Sequence, residues 1–276
     1  MSNTLVIGMY KTGTTIVASV IEHSLPGATL YFEPRHVGFL EKLGRAGEPA
    51  VVKLIYEHWM HRPFLLNGIF RGEAEFRPDK SVAIIRDPRD GMISALMYAA
   101  YQFVLDGAGR GQIDEWVEVI RAKEASPGKH SLIELMQRMN RIFKVSYPLD
   151  WFIDSFASYS AWLSDVRDLV HVLRYEDFVA GDTTALAAYL GVRVKKTREV
   201  LPGLQRVSRT RGSGDWRKLM LPEDVAHWKP RYGEALAAHG YTDWELRSAP
   251  GDPAEGSAYV MKIAEEAFRS RAQATN

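Results

Sequence analysis

The chain has 276 residues, 46% of them hydrophobic and 25% charged, and 35 Lys and Arg set against 34 Asp and Glu leave a formal charge of +1. A chain of this length and apolar content buries one sizeable core, and its balanced charge argues against general nucleic-acid binding, which needs a basic field. With no cysteine, disulfides and thiolate metal sites are excluded, and no histidine spacing suggests zinc.

An apolar run over residues 4–7 leads into Gly8-Met-Tyr-Lys-Thr-Gly-Thr-Thr15, and a helical apolar pattern over 16–21 leads out. Strand, glycine turn and helix start are the layout of an anion-cradling loop. Successive backbone N–H groups and the positive end of the helix dipole converge there on one phosphate or sulfate. In nucleotide triphosphatases the pattern is Gly, four residues, Gly-Lys-Ser/Thr, with the lysine on the terminal phosphates. Here Lys11 sits in the middle of the loop and Thr14 occupies the lysine's place.

Residues 28–32 read as a second strand, followed by Tyr31-Phe-Glu-Pro-Arg-His36, which puts Glu33 and His36 at the carboxyl edge where the loop opens. Residues 50–55 read as a third strand. The apolar run 81–85 ends in Arg86-Asp-Pro-Arg-Asp90, a buried parallel strand delivering an arginine to the same edge. Residues 44–49 and 71–80 are polar connections. The stretch 106–129, rich in Gly, Glu and Arg, reads as an insertion or lid over an acceptor site, because long connections in compact domains are often lids. Helical patterns follow at 131–146 and 151–166, then a fifth strand at 169–175, helices at 183–190 and 222–239, and an amphipathic C-terminal helix at 255–273.

Short apolar strands alternating with helical patterns predict an α/β fold, a P-loop-like three-layer domain with a central parallel sheet flanked by helices, spanning residues 1–276 as a single domain. The first strand starts close to Met1 and leaves no room for a cleavable leader, and no apolar stretch approaches membrane-spanning length. A cytoplasmic protein without a membrane span is expected.

Taken together these motifs resemble the sulfotransferase superfamily, whose first signature is a strand followed by Lys-x-Gly-Thr-Thr, here Lys11-Thr12-Gly13-Thr14-Thr15. The resemblance implies that this loop holds the 5′-phosphosulfate of 3′-phosphoadenosine 5′-phosphosulfate and later the product 3′,5′-adenosine bisphosphate. It implies that Arg86 and Ser94, eight residues apart, grip the 3′-phosphate, a role suited to a guanidinium fork and a hydroxyl. Residues 206–216 are similar to the family's C-terminal Arg-Lys-Gly-x-x-Gly-Asp-Trp loop. Aligned on Gly214-Asp215-Trp216, Arg209 falls on the family's arginine, Thr210 on its lysine and Arg211 on its first glycine, while Gly212 and Arg211 restore flexibility and charge nearby. Tyr175, at the end of the fifth strand, corresponds to a tyrosine that faces the adenine. Ile16 stands where many cytosolic members carry a tryptophan, and Val51-Val-Lys-Leu-Ile-Tyr-Glu-His58 stands where they carry Lys-Thr-His.

The activity implied is transfer of a sulfuryl group to a hydroxyl, or less readily an amine, of a small-molecule, lipid or carbohydrate acceptor, with no metal, nucleic acid or membrane span involved. Lys11 is the residue expected to stabilise charge on the leaving phosphate. Glu33 is the first choice for the general base, followed by His36 and by His58 after the third strand; the competing reading of Glu33 is an ion pair that orients a phosphate-site arginine. Trp59, Phe64, Tyr98, Tyr101 and Phe103 are candidates for an apolar acceptor wall. The rival readings are a P-loop nucleotide or small-molecule kinase, weakened by Thr14 and by the Arg86 and Ser94 pair, and a non-catalytic nucleotide-binding protein.

Overall fold

A computed structural model describes residues 3–195, 212–247 and 255–274. Its strands are β1 (Thr4–Gly8), β2 (Thr29–Phe32), β3 (Ala50–Ile55), β4 (Lys80–Ile85) and β5 (His171–Arg174), all within the segments read as strands from the sequence apart from Lys80, one residue before the fourth. The helices, in chain order, are α1 (Thr14–Ser24), α2 (Val37–Ala46), α3 (Pro63–Phe70), α4 (Pro88–Leu105), α5 (Arg110–Ala125), α6 (Leu132–Phe143), α7 (Trp151–Asp165), α8 (Tyr175–Ala180), α9 (Thr184–Leu190), α10 (Trp216–Leu219), α11 (Pro222–Ala237) and α12 (Glu255–Ala274). No helix among the described residues is long and apolar enough to cross a membrane.

The five strands form one all-parallel sheet in the order β2-β3-β1-β4-β5, the α/β architecture expected from the sequence. Its three central strands are nearly continuous buried runs, whereas β2 and β5, at the edges, are half exposed. That contrast is what a parallel sheet covered on both faces demands of its sequence. The described chain falls into two compact units, one drawn from residues 1–86 and 155–205, the other from 87–154 and 206–276. The boundary passes between Arg86 and Asp87, inside the Arg86-Asp-Pro-Arg-Asp90 motif.

In the first unit Val6, Val51, Val82 and Ile84 project from one face of the sheet and pack with Val17 and Ile21 of α1 and Leu186 of α9. Strand alternation puts Leu5, Ile7, Val52, Leu54 and Ala83, all fully buried, on the opposite face. An aromatic cluster also belongs to this unit. Tyr56 lies 5.1 Å from the ring of Tyr159 and 5.5 Å from that of Trp162, and Tyr159 donates its hydroxyl to the Ile84 carbonyl at 3.0 Å.

In the second unit α12 packs on α4 and α5, and α5 on α6. The stretch 106–129 contains α5, which buries Ile113, Trp116, Val117, Val119 and Ile120. Within this unit the start of α4 holds the Gly214-Asp215-Trp216 segment. Pro88 fills the first helical position, and Asp87 caps the helix by accepting from the Arg89 N–H at 3.0 Å. Arg89, only 1% exposed, forms a bidentate pair with Asp87 at 2.7 and 2.8 Å. Its guanidinium lies 3.7 Å from the ring centroid of Trp216 and 4.5 Å from that of Trp244. The buried Asp90 carboxylate accepts the N–H groups of Gly214 at 2.5 Å and Trp216 at 3.1 Å.

Hydrogen bonds from backbone N–H to a charged acceptor are worth roughly 1.5–3 kcal/mol each, so Asp90→Ala, which strands one buried and one half-buried donor, is expected to lower the thermal unfolding midpoint by several degrees. Asp90→Asn, which keeps one acceptor oxygen, should cost less. Scanning calorimetry of both variants makes the comparison, and an unchanged midpoint in Asp90→Ala would deny this carboxylate its anchoring role.

Candidate functional site: the anion loop of the first unit

The chain runs from β1 out to β2 and back through β3 on one side, then crosses to β4 on the other, so strand order reverses between β1 and β4. At such a reversal the loops leaving the two carboxyl ends diverge and open a crevice. Residues 9–13 and Arg86 are what this sheet delivers there.

The loop is shaped by two residues in the left-handed region, Lys11 at φ 65° and Gly13 at φ 88°. Thr12 closes it locally, donating its N–H at 3.3 Å and its hydroxyl at 2.7 Å to the Met9 carbonyl. Gly8 is required by close approach, since a Cβ there would lie 2.7 Å from both Thr12 Oγ1 and Thr14 Cγ2. Gly13 is required twice over. Its φ favours glycine, and a Cβ would come within 2.2 Å of the Tyr175 ring. Gly13 is also the N-cap of α1 and brings no side-chain acceptor, and the first turn, which contains the buried Thr14 and Thr15, carries no acidic residue. The N–H groups of that turn have no intrahelical acceptors, and the positive end of the helix dipole has no local counter-charge.

Arg86 ties the end of β4 to this loop. Its Nη1 donates to the Lys11 carbonyl at 2.9 Å, and its guanidinium lies 4.6 Å from the ring centroid of Tyr175. Tyr175, expected to face an adenine, is 6% exposed and packed between Gly13 and Arg86, so it backs the loop and the arginine.

A second group of charges follows β2 and β3 at the same edge. Glu33, at φ 47°, forms an ion pair with Lys53, a lysine on the otherwise apolar β3 whose side chain is 4% exposed. Burial pushes the Glu33 carboxyl up, but Lys53, with help from His58 and Arg35, outweighs it and holds the group below the usual carboxylate range. Arg35 Nη2 stands 3.3 Å from His58 Nε2. A guanidinium only donates, so Nε2 accepts and the proton sits on Nδ1, which is buried and has no hydrogen-bond partner among the described residues. Burial first, then the Arg35 charge, pulls the His58 imidazole below its ordinary value, so it is neutral at physiological pH. His36 is exposed at the N-cap of α2.

One residue of this edge carries no role in the sequence reading. Glu57, in the 3-10 turn Tyr56–His58 that follows β3, accepts the Tyr10 N–H of the loop with both carboxyl oxygens at 3.1 Å. Burial drives its pKa up to about 7, and the hydrogen bonds from its own N–H and from Tyr10 only partly oppose this. The available signal was positional: an acid directly after a buried parallel strand neighbouring the loop strand.

The remaining expected residues are distributed as follows. Ser94 is buried on α4 and Gly212 is described, both in the second unit, whereas Arg209 and Arg211 lie outside the described residues. Of the aromatic candidates, Trp59 is core at 1% exposure and Phe64 is 80% exposed. In the second unit Tyr98 stacks on Tyr101 and Phe103 on Phe143.

No family model matches the chain, and no curated protein matches it in sequence. Among solved structures it is similar to the crystal structure of mouse sulfotransferase SULT7A1 complexed with PAP. The identity is 15% and the TM-score 0.49, over 95% of this chain and 89% of that one.

The raised Glu57 pKa has a stability consequence. Between the ordinary carboxylate value and about 7 the folded protein holds a proton that the unfolded chain releases, so stability falls as pH rises across that window. Glu57→Gln lacks this loss. Its unfolding midpoint is expected to match wild type near pH 5 and exceed it near pH 8, by a gap that denaturation at both pH values reads directly; equal gaps at the two pH values would place the Glu57 pKa in the normal range.

Proposed function

We propose that the protein is a sulfotransferase that uses 3′-phosphoadenosine 5′-phosphosulfate to sulfate an acceptor hydroxyl. The observation that carries the reading is the Lys11 loop: a lysine in the left-handed turn of an N–H cradle at the sheet's reversal point, tied by its carbonyl to the arginine that follows β4. The sequence motifs from Lys11 to Gly214-Asp215-Trp216 supply the family. Thr14, in the place of a triphosphatase lysine, weighs against a kinase.

The residues fit the donor's anionic groups. The first-turn N–H groups of α1 face the 5′-phosphosulfate, with Lys11 as the cation of the loop. Arg86, whose fork is braced on Tyr175, takes the 3′-phosphate. The donor supplies the sulfuryl group. The acceptor oxygen forms the new S–O bond as it gives up its proton, and the bond from sulfur to the phosphate oxygen breaks with its electron pair leaving on the phosphate. Lys11 and the loop N–H groups stabilise that charge, which needs positioned donors more than covalent help.

For the proton, the local electrostatics favour His58 over Glu33. The Glu33 carboxylate is committed to Lys53 and titrates low, so it positions that lysine, whereas His58 is neutral and able to accept a proton at Nε2 when the exposed Arg35 moves away. The acceptor belongs to the class of small molecules, lipids or carbohydrates, and the site of action is the cytoplasm.

Two measurements test this. In calorimetric titrations wild type should bind 3′,5′-adenosine bisphosphate in preference to adenosine triphosphate with magnesium. Arg86→Ala should lose tenfold or more for the bisphosphate, because a charge-assisted bond to phosphate is worth roughly 1.5–3 kcal/mol, and a smaller factor for adenosine 5′-phosphosulfate, which lacks the 3′-phosphate and feels only the lost brace on the Lys11 carbonyl. Preference for the triphosphate would turn the assignment to a kinase. With a phenol acceptor, His58→Ala should lower turnover by ~10²–10⁴ with nucleotide affinity retained, and Glu33→Gln should lower it less. The opposite ranking would return the base to Glu33.

A further inference from the structure

A carboxyl group sits where the anion loop needs donors. The turn after β3 brings both Glu57 oxygens to 3.1 Å from the Tyr10 N–H, one residue before Lys11. When ionised, Glu57 occupies a loop N–H and sets a negative charge beside the position that an incoming anion must take.

Hydrogen bonds from Tyr10 and from its own N–H answer that charge only in part, and no cation pairs with it among the described residues. From the loop, Tyr10 presents its N–H. From α7, Tyr159 faces Glu57 and is fully buried, which pushes its phenol far up and keeps it uncharged. On the turn itself, Tyr56 is also pushed up by burial, with its hydroxyl engaged by Ser158 at 3.0 Å, and His58 is held neutral. At the ends of β2 and β3, Lys53 is paired with Glu33. Lys11 Nζ lies 5.6 Å from the centroid of the Tyr10 ring. Among the described residues Glu57 makes no ion pair.

We propose that Glu57 makes anion occupancy of the loop proton-linked, so that the loop binds its phosphate or sulfate group together with one proton taken up at the Glu57 carboxyl. This rests on reading residues 8–15 as an anion site but not on the identity of the nucleotide. The protonated carboxyl keeps an oxygen on the Tyr10 N–H while removing the charge that opposes the anion. A second negative charge close by raises a carboxyl's proton affinity, so binding and protonation favour each other and must do so reciprocally. Near neutral pH the bound anion and the ionised carboxyl therefore exclude each other, which ties nucleotide release to loss of a proton.

The test compares wild type with Glu57→Gln, which keeps an acceptor for Tyr10 and has no charge to lose. Affinity for 3′,5′-adenosine bisphosphate is measured by calorimetry between about pH 6 and 8.5, alongside stabilisation by inorganic sulfate, whose charge is constant over that range. The affinity of Glu57→Gln relative to wild type should rise with pH, approaching tenfold per unit above the Glu57 pKa for a single linked proton. A ratio independent of pH for both ligands overturns the proposal. If neither protein binds the nucleotide but sulfate shows the pH-dependent gap, the linkage stands and the sulfotransferase reading falls. If Glu57→Gln does not fold, wild type alone decides. Near pH 8 the nucleotide phosphates are fully ionised, so binding enthalpies in buffers of different ionisation heat should report close to one proton taken up, and no uptake refutes the linkage.

Discussion

The site depends on a backbone held in a conformation that side chains disfavour. Lys11 and Gly13 both take positive φ, and Lys11, which has a Cβ, keeps that conformation because its neighbours fix it from two sides. Arg86 holds the carbonyl of Lys11 from the end of β4, and Glu57 holds the N–H of Tyr10 from the turn after β3. β3 and β4 are the two strands that flank β1, so the sheet order itself supplies one clamp on each side of the loop. A loop gripped by both neighbouring strands keeps its donors aimed without reorganisation, which is the condition under which fixed dipoles stabilise developing charge.

The same edge is organised by opposed charges of different strength. Lys53 on β3 cannot be left bare in an apolar strand, and Glu33 at the end of β2 answers it. Once that pair forms, Glu33 is fixed as an anion and Arg35 is left to lean on His58. Three titratable groups at this edge thus fall into distinct states: an ionised Glu33, a neutral His58, and a Glu57 whose pKa is raised to about 7. Environments that push neighbouring titratable groups apart are what separate acid, base and spectator roles.

The second unit repeats the logic with a different purpose. Asp87, Arg89 and Asp90 follow Arg86 in sequence yet point their chemistry at Trp216, Trp244 and the N–H groups of Gly214 and Trp216. A charged pentapeptide that looks like one phosphate-binding turn is therefore divided. Arg86 serves the loop, and the remaining charges anchor the Gly214-Asp215-Trp216 segment, each buried charge satisfied by a partner or by backbone donors.

By itself the sequence determined the sheet, the loop and the arginine, because these leave local signatures: continuous apolar runs for strands buried on both faces, glycines where φ or close approach requires them, and a basic residue ending a strand. It also listed Glu33, His36 and His58 as candidate bases. What it left open was decided by distances between residues far apart in the chain. Lys53 and Glu33 are twenty residues apart and meet only because β2 and β3 pair in register Phe32 to Lys53, and that contact holds the Glu33 carboxyl below the usual carboxylate range. Tyr10 and Glu57 are forty-seven residues apart and meet only because β3 lies beside β1. A side chain's proton affinity is set by burial and by the charges facing it, and neither exists until the strands have assembled.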